Sequence, residues 1–149
     1  MYKLTIELVP KTSWFTNLRR ILSKKHWDEI RKKCYKNANN RCEICGEKGN
    51  KWPVECHEIW EFNDINYKQT LTGLIALCPD CHKVKHIGLS YINGTFDKSI
   101  NHLIKINNIS RQEAITYVES VNHLWETRNT HIWKLDISYI NFYLNKEIV

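Results

Sequence analysis

An α+β fold is predicted by three features of this 149-residue chain. Two Cys-x-x-Cys pairs, Cys42/Cys45 and Cys78/Cys81, lie 32 residues apart with short apolar runs of strand length between them. An alternating segment near the N-terminus predicts a further strand. The flanking regions carry apolar residues three and four apart, the period of amphipathic helices. The length fits one domain with a modest core. Residues 1–96 hold the cysteine pairs, the N-terminal strand and a basic helix, and residues 97–149 form a helical extension packed on the same domain.

In order along the chain, Tyr2, Leu4, Ile6 and Leu8 alternate with polar neighbours up to Pro10 and predict a half-buried strand over Tyr2–Val9. Ser23 is placed to cap a helix whose apolar positions Trp27, Ile30 and Cys34 share one face, with Asp28 and Glu29 early in it. Asn37 to Asn40 ends that helix, and Cys34 is expected as a buried core thiol. Gly46 allows a tight turn after Cys45. Pro53 to Trp60 reads as a short strand, Phe62 to Thr72 as a polar loop, and Leu74 to Leu77 as a brief apolar run. Pro79 is expected in a rigid turn, followed by a helix from His82 to about Ile87 that stops at Gly88. Asn93-Gly94 marks a turn. Ser99 to about Asn107 and Ser110 to about Arg128 predict two helices, the second opened by a capping box from Ser110 to Glu113. Trp133 to Leu144 suits a strand or a short helix. The aromatics Trp125, Trp133, Tyr139 and Phe142 are expected to pack rather than stack on bases.

The two cysteine pairs supply four thiolates, the ligand set of a closed tetrahedral structural zinc: Cys42, Cys45, Cys78 and Cys81. Two disulfides would require export, and the N-terminus carries an early acidic residue and no long apolar core, so it does not read as a signal peptide. A cytoplasmic protein is expected. No segment approaches the ~20 apolar residues of a membrane span, so no membrane partner is expected.

The formal net charge is +6. Nine basic residues between Arg19 and Arg41 face only Asp28 and Glu29, so this stretch carries +7 and the remainder −1. Such concentration is the footprint of a phosphate binder. Lys24, Lys25, Arg31, Lys32, Lys33, Lys36 and Arg41 are the candidate nucleic-acid contacts. From Asp97 onward six acids balance six bases, which excludes that half as the phosphate binder.

His82 and His86 are four positions apart, so on a helix both imidazoles share a face and can share a metal ion. His57, held between the cysteine pairs, is the candidate third ligand of an open site for a divalent cation (Mg²⁺, Mn²⁺, Ni²⁺ or Zn²⁺). Such a site can stabilise charge on a scissile phosphate while a nearby base, for which a histidine is suited, deprotonates water. No glycine belongs to a phosphate-cradling loop: Gly46, Gly73 and Gly88 read as turns, and no nucleotide cofactor is expected.

Trp52-Pro53-Val54-Glu55-Cys56-His57-Glu58-Ile59, then Leu77-Cys78-Pro79-Asp80-Cys81-His82, then His86, resembles the HNH endonucleases of ββα-metal fold in their four-cysteine, zinc-braced form. The resemblance covers about residues 27 to 88. It implies hydrolysis of phosphodiester bonds in DNA with one divalent metal, with His57, Glu58 and His82 as catalytic residues. Aligned on Ile59, His57 takes the ligand position and Glu58 the base position; aligned on the histidine, His57 is the base and Cys56 an unusual ligand. Gly73 stands where the family has the asparagine that orders the catalytic strand, and Asn63 or Asn66 is a candidate substitute. The alternative reading is a catalytically silent zinc module that binds nucleic acid through the same basic helix. A third is a protein-interaction domain presented by the C-terminal helices.

Overall fold

A computed structural model describes residues 1–149. It is α+β, with a three-stranded sheet and seven helices. The helices are α1 (Leu18–Ile21), α2 (Lys24–Asn37), α3 (Pro79–Lys85), α4 (Ile87–Ile92), α5 (Phe96–Asn107), α6 (Arg111–Arg128) and α7 (Tyr139–Leu144). The strands β1 (Glu55–Asn63), β2 (Lys68–Leu77) and β3 (Lys134–Asp136) are ordered β1-β2-β3, with β1 antiparallel and β3 parallel to β2. No helix is long and apolar enough to cross a membrane.

The hairpin β1–β2 is the platform for everything else. Its turn is ordered by Asn63, whose Oδ1 accepts from the N–H groups of Ile65 (3.0 Å) and Asn66 (3.2 Å). Residues of even and odd number face opposite sides of a strand. Ile75 and Leu77 pack with Val84 and Ile87 of the α3–α4 segment in the largest core, whereas Cys56, Leu74 and Ala76 meet Cys34 of α2. A bulge at Thr72 lies between the pairs Ile59–Gly73 and Trp60–Leu71. The extra residue turns Leu71 onto the α2 face, where it joins Leu18, Leu22, Ile30 and Ile140.

Several elements differ from the sequence expectation. Phe62 to Thr72 is not a loop but the distal half of the hairpin. Gln69, buried in this half, breaks the apolar alternation that would have marked a strand. Tyr2–Val9 is extended but joins no sheet. Leu4 and Ile6 are buried, and side chains satisfy their backbone: Leu4 exchanges hydrogen bonds with the Asn107 amide (2.9 and 2.8 Å), and the Ile6 N–H donates to Tyr117 Oη (2.9 Å). Pro79 occupies the first turn of α3, where its missing N–H costs nothing, and Cys78 caps that helix. The helix ends at Lys85. His86 takes φ −107° and ψ 47°, and α4 begins at once, so Gly88 lies inside a helix rather than stopping one. Gly73 sits mid-strand opposite Ile59, not in a turn.

Two helix caps match the expectation. Ser23 caps α2 through the His26 N–H, and the capping box of Ser110 and Glu113 opens α6. The Trp133–Leu144 segment contains both a strand and a helix. Trp125 and Trp133 pack as expected, but Phe142 is 80% exposed. The largest core joins Leu4, the knuckle residues Cys42, Cys78 and Cys81, and Leu103, Ala114 and Val118 of α5 and α6. The C-terminal helices are thus continuous with the cysteine-bearing half.

Candidate metal centre

The four cysteines come together, with their sulfurs within 4.8 Å of one another. Each pair folds back through an N–H···S bond, from Cys45 to Cys42 Sγ and from Cys81 to Cys78 Sγ, both 3.5 Å. A bond from the Cys81 thiol pulls Cys42 down to about 4. The cluster can hold a metal such as zinc, because soft, closely spaced thiolates on two rigid turns are its preferred ligands. His102 of α5, which sequence reasoning missed, places Nε2 3.2 Å from Cys81 Sγ. Only tertiary packing of α5 on α3 brings it there.

The three histidines also converge. One nitrogen from each of His57, His82 and His86 lies within 4.8 Å of the others, and the ring centroids are 4.9–5.3 Å apart. β1 supplies His57, α3 supplies His82, and the α3–α4 break supplies His86. The break keeps His86 beside His82 although it is no longer helical.

Two carboxylates absent from the sequence reading orient the rings. Glu7 Oε2 lies 2.7 Å from His57 Nε2, and Glu55 Oε2 lies 2.6 Å from His82 Nδ1. Glu55 precedes His57 by two residues and so shares its strand face. Glu7 is delivered by the extended N-terminal segment, and its other oxygen accepts from Lys85 Nζ at 2.7 Å. Burial pushes Glu7 up, but hydrogen bonds from His57 and the charge of Lys85 bring it down to about 2. Burial pushes His57 down despite Glu7, so at neutral pH the ring is neutral and Lys85 is the lasting counter-ion of Glu7. Burial and the neighbouring imidazoles hold His86 down to about 3. His57 and His86 therefore each keep an unprotonated nitrogen, and His82 adds a third imidazole to a donor set suited to a divalent transition ion.

Neither Cys56 nor Glu58 belongs to this donor set. Cys56 faces Cys34 across the α2 interface, on the side of β1 opposite His57, which keeps its thiol away from the histidines; the adjacent thiol and burial push that thiol far up. Glu58 shares that strand face. It accepts from the Leu18 N–H (2.7 Å) and Trp60 Nε1 (3.2 Å), and burial raises its carboxyl above the ordinary value.

Both faces of β1 open on a cleft of about 1420 Å³ along the free edge of that strand, lined by all three histidines and Glu58. Of the seven candidate phosphate contacts, Lys24 and Arg31 reach this cleft, and both pair with Asp28 (3.0 and 2.8 Å). Lys25, Lys32, Lys33, Lys36 and Arg41 are exposed outside it, and Lys33 is tied to the Tyr143 carbonyl. The basic helix is thus split between a cleft wall and an outer face. Asn63 lies at the far end of the hairpin from His57 and orders the turn, not the histidine end of the strand. Comparison of the chain with family models, with curated proteins and with solved structures finds no match.

Proposed function

We propose that this protein is a metal-dependent endonuclease of the HNH type that hydrolyses phosphodiester bonds in DNA. The observation that carries this reading is the convergence of three imidazoles, two of them steered by carboxylates, beside a four-cysteine cluster on a hairpin followed by a helix. A structural zinc site needs no such second, open donor set. In this reading the hairpin β1–β2 and α3 take the parts of the two strands and helix of a ββα-metal fold, with the cysteines as its brace; their order along the chain supports it.

In this reading His57, His82 and His86 hold the divalent ion, which when bound supplies charge stabilisation for a phosphate oxygen and the leaving oxygen. Glu7 and Glu55 fix the ring tautomers. Glu58, which lines the same cleft from the other face of β1 and whose carboxyl burial raises above its ordinary value, is the candidate general base or the carboxylate that orients the attacking water. Lys24 and Arg31 position the backbone, and the outer lysines contribute sequence-independent attraction.

The test is cleavage of supercoiled plasmid in Mg²⁺, Mn²⁺, Ni²⁺ or EDTA by the protein and by His57→Ala. Metal-dependent nicking that disappears in the variant is the expected result. Intact plasmid in every metal, with DNA still bound, is the outcome for a silent nucleic-acid-binding module.

A further inference from the structure

The cleft contains more than its histidines require. Trp14 and Trp52 border it and are 48% and 61% exposed, an unusual state for the residue that loses most on hydration. Trp14 is not loose: its ring stacks on Trp125 at 6.2 Å and 20°, and its Nε1 donates to the Val9 carbonyl (2.8 Å). Trp52 lies three residues before the start of β1, whereas Trp60 and Phe62 line the cleft along the strand's other half. Aromatic faces therefore occur at both ends of one trough, beside the unpaired edge of β1.

The second observation is Gln69. It lines the same cleft and is 1% exposed, yet its Oε1 has no hydrogen-bond partner. It is the sole buried side-chain polar atom left without one. Buried acceptors are nearly always paired, so an unpaired one at a cleft wall points to a donor that arrives with a ligand. The Phe62 pairing of Gln69 places it five residues along β1 from His57, roughly 17 Å at the rise of a strand.

Exposed flat aromatic faces, cations at Arg19, Lys24 and Arg31, and a buried amide acceptor are the contacts of unstacked bases on a phosphate chain. A base-paired duplex hides its π-faces and cannot use them. We infer that this cleft binds single-stranded DNA along the free edge of β1, with bases on Trp52 and Trp14 and one base donating an N–H to Gln69 Oε1. This rests on the nuclease reading for the chemistry at the histidines, and it narrows the substrate to a single-stranded or unwound segment.

The experiment is fluorescence anisotropy of a labelled 12- to 20-nucleotide strand with the zinc-loaded protein and no added divalent ion, against the same sequence as a duplex and as RNA. Binding of the DNA strand at least tenfold tighter than the duplex, weakened about tenfold by Trp14→Ala or Trp52→Ala, is expected. Phe142→Ala, which removes an exposed ring outside the cleft, leaves binding unchanged. Gln69→Leu removes the unpaired acceptor, so it raises Tm while weakening binding, a combination that mere misfolding does not produce. Equal or tighter binding of the duplex, tighter binding of RNA, or indifference to both tryptophans overturns the inference. A strand bound in this way but never cut in any metal leaves the inference standing and removes the nuclease reading; plasmid cleavage with tryptophan-independent strand binding does the reverse.

Discussion

Glu7 Oε2 lies 2.7 Å from His57 Nε2 across 50 residues of sequence, joining the extended N-terminal segment to the edge strand of the sheet. The same carboxylate binds Lys85, which is 4% exposed, and Lys85 also donates to Thr5 Oγ1 at 2.8 Å. The N-terminal segment therefore does more than cover the core: it fixes the orientation of a ligand ring.

Glu7→Gln keeps a hydrogen-bonding side chain of the same size but removes the charge that holds His57 in one tautomer. We expect affinity for a divalent ion at the histidine site to fall about 10- to 100-fold, the usual effect of losing such an orienting carboxylate. Calorimetric titration of Mn²⁺ or Ni²⁺ into zinc-loaded protein measures it. The zinc content of the cysteine site stays the same. Unchanged affinity would mean that the pair serves only to anchor the N-terminal segment.

The cysteine pairs and the three histidines were legible because their spacing carries the chemistry: Cys-x-x-Cys turns two thiolates together, and His82 and His86 are four apart. The carboxylates were not, because Glu7 reaches His57 only through a segment whose backbone is satisfied by Asn107 and Tyr117 instead of a sheet partner. Glu55 had a local signal in its two-residue offset from His57, which places both on one strand face. The distal hairpin was hidden by Gln69, a polar residue at a core position. The split of the basic helix was hidden for another reason: charge density along the chain does not say which face of α2 meets the cleft.

Glu58 gives a pH prediction. Burial raises its carboxyl, so the folded state resists ionising it more than the unfolded state does. Stability from this group is complete below the unfolded value of about 4.3 and is lost as pH rises through the folded value. Glu58→Gln keeps acceptor capacity for the Leu18 N–H while removing the charge. Its Tm is therefore expected to exceed that of the parent at pH 7.5, with the gain shrinking toward pH 5. Thermal melts at the two pH values decide it, and a gain independent of pH would show that ionisation is not the cause. The same variant is expected to lose plasmid cleavage.

The α2 face of the hairpin rests on Ile30 and Leu71, which are 0% and 2% exposed and belong to one cluster with Leu18, Leu22 and Ile140. Truncating either to Ala leaves a cavity between α2 and the sheet, at a cost of about 2–5 kcal/mol. Urea denaturation of the zinc-loaded protein is expected to show a lower midpoint at unchanged slope. The effect on metal binding at the histidines is small, because His57 faces the opposite side of β1. A fall in histidine-site affinity comparable to that of Glu7→Gln would show that the two faces are coupled through the strand.

The cysteine cluster and the main core are one unit, since Cys42, Cys78 and Cys81 pack with Leu77, Val84 and Leu103. Removing zinc leaves four buried or half-buried thiols to reprotonate in a space shaped for an ion, so a strong chelator is expected to abolish cooperative unfolding rather than lower Tm slightly. His102 is expected to tune this step: its Nε2 is 3.2 Å from Cys81 Sγ, and the tautomer with its proton on Nε2 donates to the thiolate, drains its charge and slows its protonation. His102→Ala is expected to release zinc about tenfold faster to a chromogenic chelator, with the folded state intact before release. His102→Gln, which retains an N–H donor, recovers most of the difference. Release from both variants at the parent rate would reduce His102 to a packing residue of α5 and leave the N–H···S bonds of the two turns as the only outer support of the cluster.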